Sequence, residues 1–308
     1  MPIKKVYNKI EKTFNKYILN IVASTIPHTR KHKYSDEYCL KMFKYMINDV
    51  VKWKSLSLLA DYKGNPKYHY KYLCSVFNKW SKADIFKKAY TEMLKKEYFK
   101  LKHIKKAESI NLFIDCTFIN NMYGVDCKAT NPEYKKKKCT KISAICDSEN
   151  NIIALNYDLT HLSKKKNPSF CHDLNLVQKN LDEMHIQLPK KPTITLCGDK
   201  GYISQKQFKL NNNKKINIIA TKRCNQKTLN TEYENNLLKK RSTVERSFSV
   251  IKKDNRVYVR KDKNIANYIG FVYLSLFDIF YKKNIVIKDE TIKTNKKTNK
   301  KQINNNNT

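Results

Sequence analysis

The chain has 308 residues, with 63 Lys+Arg against 27 Asp+Glu and a formal net charge of +36, far beyond what solubility requires. That charge points to a polyanionic partner, nucleic acid ahead of an anionic membrane surface, because neutralised phosphates release counterions. No apolar run reaches the roughly 20 residues of a spanning helix, and the N-terminus lacks the apolar run of a secretion signal. The nine cysteines form no C-x-x-C pair, which argues against a disulfide framework or a zinc ribbon and for reduced thiols in an intracellular compartment. Abundant Lys, Asn, Ile and Tyr fit an AT-rich genome. A bacterial cytoplasm, or the nucleus or viral factory of a eukaryote or large DNA virus, all suit that bias.

Residues 1–35 read as a basic lead-in with some helical pattern, and residues 36–105 as a small all-helical domain. Within it, Tyr72, Leu73, Val76, Phe77 and Trp80 line one helix face. Upstream, Ser55 offers an N-cap and Gly64 a stop, and Asn65 and Pro66 supply the next helix with a cap and first-turn proline. Two short helices around a glycine turn have helix-turn-helix form and suit DNA; an ordinary bundle with solvated lysines is the plainer alternative. Strand signals begin at Asn111. "NLFIDCTFI" is a central strand covered on both faces, and "TKISAICDSENNIIALNYDL" is a hairpin turning at Asp147 to Asn151. A helix over "HDLNLVQKNLDEMHI", the strand "TITLCGD", a short helix and the strand "INIIA" follow. Helices from Leu237 to about Lys253 and from Ile265 to about Tyr281 close the fold. This order predicts an α/β domain over 108–284, a mixed sheet flanked by helices. The polar tail, 285–308, is expected to be disordered.

Three acids carry the chemistry. Asp115 interrupts an apolar strand, where an unpaired carboxylate costs several kcal/mol, so it must be paired, protonated or metal-bound. Asp199 follows a strand end between Gly198 and Gly201, where open α/β sheets keep their sites. Glu245 lies within a helix. Each has a plainer role: Asp115 bonded to a buried tyrosine or lysine, Asp199 a turn residue, Glu245 an i, i+4 partner of Arg241. Together they offer three hard oxygen ligands of the kind Mg²⁺ takes, and two such ions about 3.5–4 Å apart support in-line phosphoryl displacement. Offsets of 4 and 7 place Arg241, Glu245 and Lys252 on one helix stripe, a metal ligand between two cations suited to phosphates.

The blocks "IDCTFI", "GDKGY" and "RSTVERSFSVIK" resemble the signatures of DDE transposases of bacterial insertion sequences, of the five type within the wider four group. The resemblance covers residues 111 to about 282, including the pair His172–Asp173, and extends weakly over "KWKSLSLLADYKGNPKYHYKYLCSVFNKW". It implies a ribonuclease-H-like catalytic domain, cleavage at element ends and strand transfer of a 3′-hydroxyl. It also implies that Asp115, Asp199 and Glu245 bind two Mg²⁺ ions, for which Mn²⁺ substitutes. The partners implied are terminal inverted repeats, target DNA and a second copy of the chain in a synaptic dimer. Arg241, Glu245 and Lys252 match the family's last motif, while its tyrosine position holds Leu238. Arg246 and Lys200 join Arg241 and Lys252 as DNA contacts. His172 is a structural helix-start residue or a catalytic one, and Asp173 a cap. The runs "YKKKKC" (134–139) and "SKKK" (163–166) are solvated loops or backbone contacts.

Overall fold

The apolar run at Asn111 becomes the longest strand of the molecule, β1, Ser109–Asn121. A computed structural model describes residues 3–27, 34–48, 52–58, 69–105, 107–131, 137–159, 172–188, 193–204, 207–210, 215–216, 218–222 and 228–286. In it β1 pairs antiparallel with β3 (Lys138–Asp147), which pairs antiparallel with β4 (Ile152–Tyr157). On its other side β1 runs parallel to β5 (Thr193–Gly198), and β5 parallel to β8 (Ile218–Ala220). The order β4-β3-β1-β5-β8, antiparallel on one side and parallel on the other, is the mixed sheet expected from the sequence. Short β2 (Ala129–Thr130) joins β3, and β9 (Val259–Arg260) joins the far end of β1; β6 (Phe208–Lys209) and β7 (Lys215–Ile216) form a separate ribbon.

The β3–β4 hairpin turns where its polar residues predict. Asp147 Oδ1 accepts the Glu149 and Asn151 N–H groups, and Asn150 takes a left-handed φ of 61°; asparagine tolerates that region better than most residues. Two helices cover opposite faces. Because β side chains alternate, Asp115 faces α8 (Ser242–Ile251), while Ser143, paired with Cys116, faces α6 (Leu174–Asp182) and takes a 2.7 Å hydrogen bond from Asn180.

The helix expected from Leu237 to about Lys253 is instead two. α7 (Glu232–Lys239) starts earlier, on a capping box in which Thr231 and Glu234 exchange bonds, and it ends at Lys240. There the backbone bonds shorten to i+3, the Thr243 N–H and hydroxyl both bonding the Lys240 carbonyl at 3.0 and 2.6 Å, and α8 begins anew. The last long helix, α10 (Ile265–Tyr281), has the predicted bounds. It follows α9 (Asn255–Tyr258).

N-terminal to the sheet lie α1 (Ile3–Thr25), α2 (Asp36–Asn48), a 3₁₀ turn (Trp53–Leu58), α3 (Tyr70–Lys82), α4 (Ile85–Glu97) and α5 (Lys102–Lys105). These helices share one core with α10. Phe14 meets Phe277 edge-on at 4.7 Å, and Phe77 stacks on Phe271 at 4.0 Å. The lead-in is therefore a packed helix, with Phe14, Ile18 and Val22 buried. Gly64, Asn65 and Pro66 lie outside the described residues. α3 itself begins at Tyr70, where the His69 ring accepts the Tyr72 N–H. The tail beyond 286 and most of the two lysine runs also lie outside. Among the described residues no helix is long and apolar enough to cross a membrane.

Candidate active site

The sheet splits beside Asp115. β5 accompanies β1 only as far as the pair Phe113–Cys197, and β9 rejoins it at Asn120. Two residues past that last pair, Asp115 remains within β1 while Asp199 stands just past the end of β5. Gly198 is required at the exit, since a Cβ there would stand 2.7 Å from the Tyr202 ring. Asp199 Oδ1 then accepts the Gly201 N–H at 2.7 Å and starts a 3₁₀ turn, Lys200–Tyr202, which orients its carboxylate.

From α8 the third acid arrives with its cations. Arg241 bridges two carboxylates, Nη1 lying 3.3 Å from Asp115 Oδ2 and Nη2 2.8 Å from Glu245 Oε1. At the other end of the helix the Lys252 ammonium donates to the Thr117 hydroxyl. Asp115 and Thr117 share a face of β1, so the stripe Arg241–Glu245–Lys252 lies along that strand as its spacing requires. Asp115 is 16% exposed and Glu245 52%, a gradient from sheet to solvent. Burial pushes the Asp115 carboxyl up to about 6; the Cys116 N–H and Arg241 pull it down, and the like charges of Asp199 and Glu245 push it up. Burial also lowers the Lys252 ammonium. The three acids therefore act on a common region, although among the described residues no three His, Cys, Asp or Glu side chains stand in metal-holding geometry. The donor chemistry fits hard divalent ions; the guanidinium of Arg241 now supplies the positive charge between Asp115 and Glu245.

The other expected DNA contacts are peripheral. Arg246 is exposed and bonds Ser242 and Thr243 at 3.1 and 2.9 Å, and Lys200 is exposed on the turn after Asp199. Leu238, at the family's tyrosine position, packs against the core. His172 opens α6, its Nδ1 accepting the Leu174 N–H at 3.3 Å. Asp173 makes no side-chain cap and instead pairs with the buried Lys141 of β3. Sequence reasoning missed Lys141, and also Thr117, whose only signal was its place two residues after Asp115. On the α6 face Cys116 meets the Tyr202 hydroxyl at 3.4 Å, and burial raises that thiol to about 12, leaving it inert at neutral pH.

No curated protein sequence matches the chain. Among solved structures the chain is similar to "Cryo-EM structure of piggyBac transposase synaptic complex with hairpin DNA (SNHP)". The identity is 10%, the TM-score 0.46, and 91% of this chain and 74% of that chain are covered. Residues 169–264, which carry Asp199, Arg241 and Glu245, match the family described as "Transposase DDE domain", and the resemblance to DDE transposases drawn from the sequence holds.

Proposed function

We propose that the protein is a DNA transposase that cuts at the ends of an element and joins the freed 3′-hydroxyl to target DNA. What supports this reading is that Arg241 bridges Asp115 and Glu245 beside the point where β1 and β5 part, with Asp199 two residues past the last β5 pair and its charge felt at Asp115. Asp115, Asp199 and Glu245 would hold two divalent ions, Mg²⁺ or Mn²⁺. When bound, such ions polarise the scissile phosphate and favour deprotonation of the attacking hydroxyl. The chain's own cations do the positioning. Arg241 and Lys252 flank the acids and place phosphate oxygens against them, while the exposed Arg246 and Lys200 hold the flanking backbone. Water is the first nucleophile and the 3′-hydroxyl the second. Each attack forms one P–O bond and breaks another, so no outside energy source is required.

The helical region 36–105 contributes binding to the terminal repeats in this reading, and two copies of the chain synapse two ends. A test needs DNA bearing the element's ends and a divalent metal. Wild type should nick it and yield strand-transfer products, and Asp199→Asn should lower the rate at least ~10³-fold while leaving the thermal midpoint in place. Cleavage that persists in Asp199→Asn would remove the carboxylates from the reaction. Cleavage without any joined product would make the protein an endonuclease on the same fold.

A further inference from the structure

The ladder between β1 and β5 ends at Phe113–Cys197, so backbone pairing stops two residues short of both Asp115 and Asp199. Asp199 is bonded within its own turn, accepting the Gly201 N–H at 2.7 Å. That bond orients the carboxylate on the turn and leaves its distance from Asp115 unset. We propose that Tyr202 and Cys116 form a brace behind the sheet that sets this distance, and that the two are positioning residues for the divalent ions. The proposal rests on the metal-binding reading of the acids and deepens it.

The brace starts at Tyr202, the end of the turn that Asp199 opens. Its N–H donates to the Asp199 carbonyl at 3.0 Å, and its ring fills the space that Gly198 leaves free. The residue is fully buried, so its hydroxyl must find a partner inside the protein. That partner is the Cys116 thiol of β1, 3.4 Å away. Cys116 also governs the first acid, because its N–H donates to Asp115 Oδ1 at 2.8 Å. One residue of β1 thus holds the first carboxylate with its backbone and the turn of the second with its side chain.

The anchor at Cys116 is itself fixed. Ser143, its partner on β3, bonds the same thiol and takes a 2.7 Å hydrogen bond from Asn180 of α6; Ser143 and Asn180 are both fully buried. Packing alone would be served by a phenylalanine at 202, and the hydroxyl instead meets the residue next to Asp115. A thiol contact is weak by itself. Site groups, however, must be held to within about 0.5 Å of their working geometry, so a small loosening is felt at the ion before it is felt in the stability of the fold.

The test titrates Mn²⁺ into the full chain and reads the free ion by its paramagnetic signal. Tyr202→Phe keeps the ring and removes the hydroxyl; it should raise the Mn²⁺ Kd about tenfold and leave the metal-free thermal midpoint in place. Cys116→Ala should weaken Mn²⁺ binding equally, and the double variant should bind no worse than either single one, since all three lose the same contact. Cys197, fully buried on β5, lies outside the brace, so Cys197→Ala should leave the Kd unchanged. Undiminished affinity in Tyr202→Phe, effects that multiply in the double variant, or an equal loss in Cys197→Ala would each overturn the brace. Equal binding of Mn²⁺ by wild type and Asp199→Asn would instead overturn the metal-binding reading beneath it.

Discussion

Two arginine–aspartate contacts, one at the middle of β1 and one past its C-terminal end, are built on opposite principles. At one, Arg260 is wholly buried and every direction is answered: the Asp126 carboxylate and carbonyl, the Thr140 hydroxyl, and the carbonyls of Asp262 and Lys263. Gly124 exists there to make room, since a Cβ would lie 2.5 Å from the guanidinium carbon. At the other, Arg241 is 28% exposed and divides itself between Asp115 and Glu245, and Asp115 still titrates near 6. The first site spends its charge on holding a turn, β9 and the start of α10 together. The second leaves acids undercompensated beside open solvent, the kind of imbalance that marks a candidate functional site.

The largest effect should come from the closed site. Arg260→Met leaves Thr140 and the Asp126 carbonyl without their donor and should cost roughly 3–5 kcal/mol of unfolding free energy, read from urea denaturation; a loss below about 1 kcal/mol would erase the contrast. At the open site the sign reverses. Asp115 has a folded pKa of about 6 against an ordinary 3.8, so its ionisation costs nothing below the unfolded value and becomes a penalty as pH rises through the folded one. Asp115→Asn should therefore raise stability by about 2 kcal/mol at pH 7.5, with the gain gone at pH 4. Calorimetry at the two pH values checks both size and direction. The smallest effect concerns Arg241. As a cation already seated between two acids it competes with a divalent ion, so Arg241→Gln should tighten Mn²⁺ binding up to about fivefold, measured by paramagnetic titration. Weaker binding would mean that the guanidinium supports the ion instead.

What could be read from the chain follows from how local each cause is. β1, the hairpin and α10 are written in continuous apolar runs and in turn residues such as Asp147 and Asn150, so their places are legible. The helix stripe was equally legible, because 3.6-residue periodicity alone brings Arg241 and Lys252 to one side, and they meet Asp115 and Thr117. The break at Lys240 was hidden because it rests on a few i+3 backbone bonds that no glycine or proline marks. The partner of Asp173 was hidden because Lys141 lies on another strand, and the packing of α1 because it depends on Phe277 and Tyr281 at the far end of the chain.

The undivided course of β1 has a mechanical consequence. From Asp115 to Asn120 it runs without a hinge, about 3.4 Å per residue and roughly 17 Å in all, clamped at one end by β5 and at the other by β9. Asp115 and Asn120 are thus held at a fixed spacing, and because β3 pairs along the same stretch, a residue inserted there would turn every later side chain of the strand to the opposite face of the sheet.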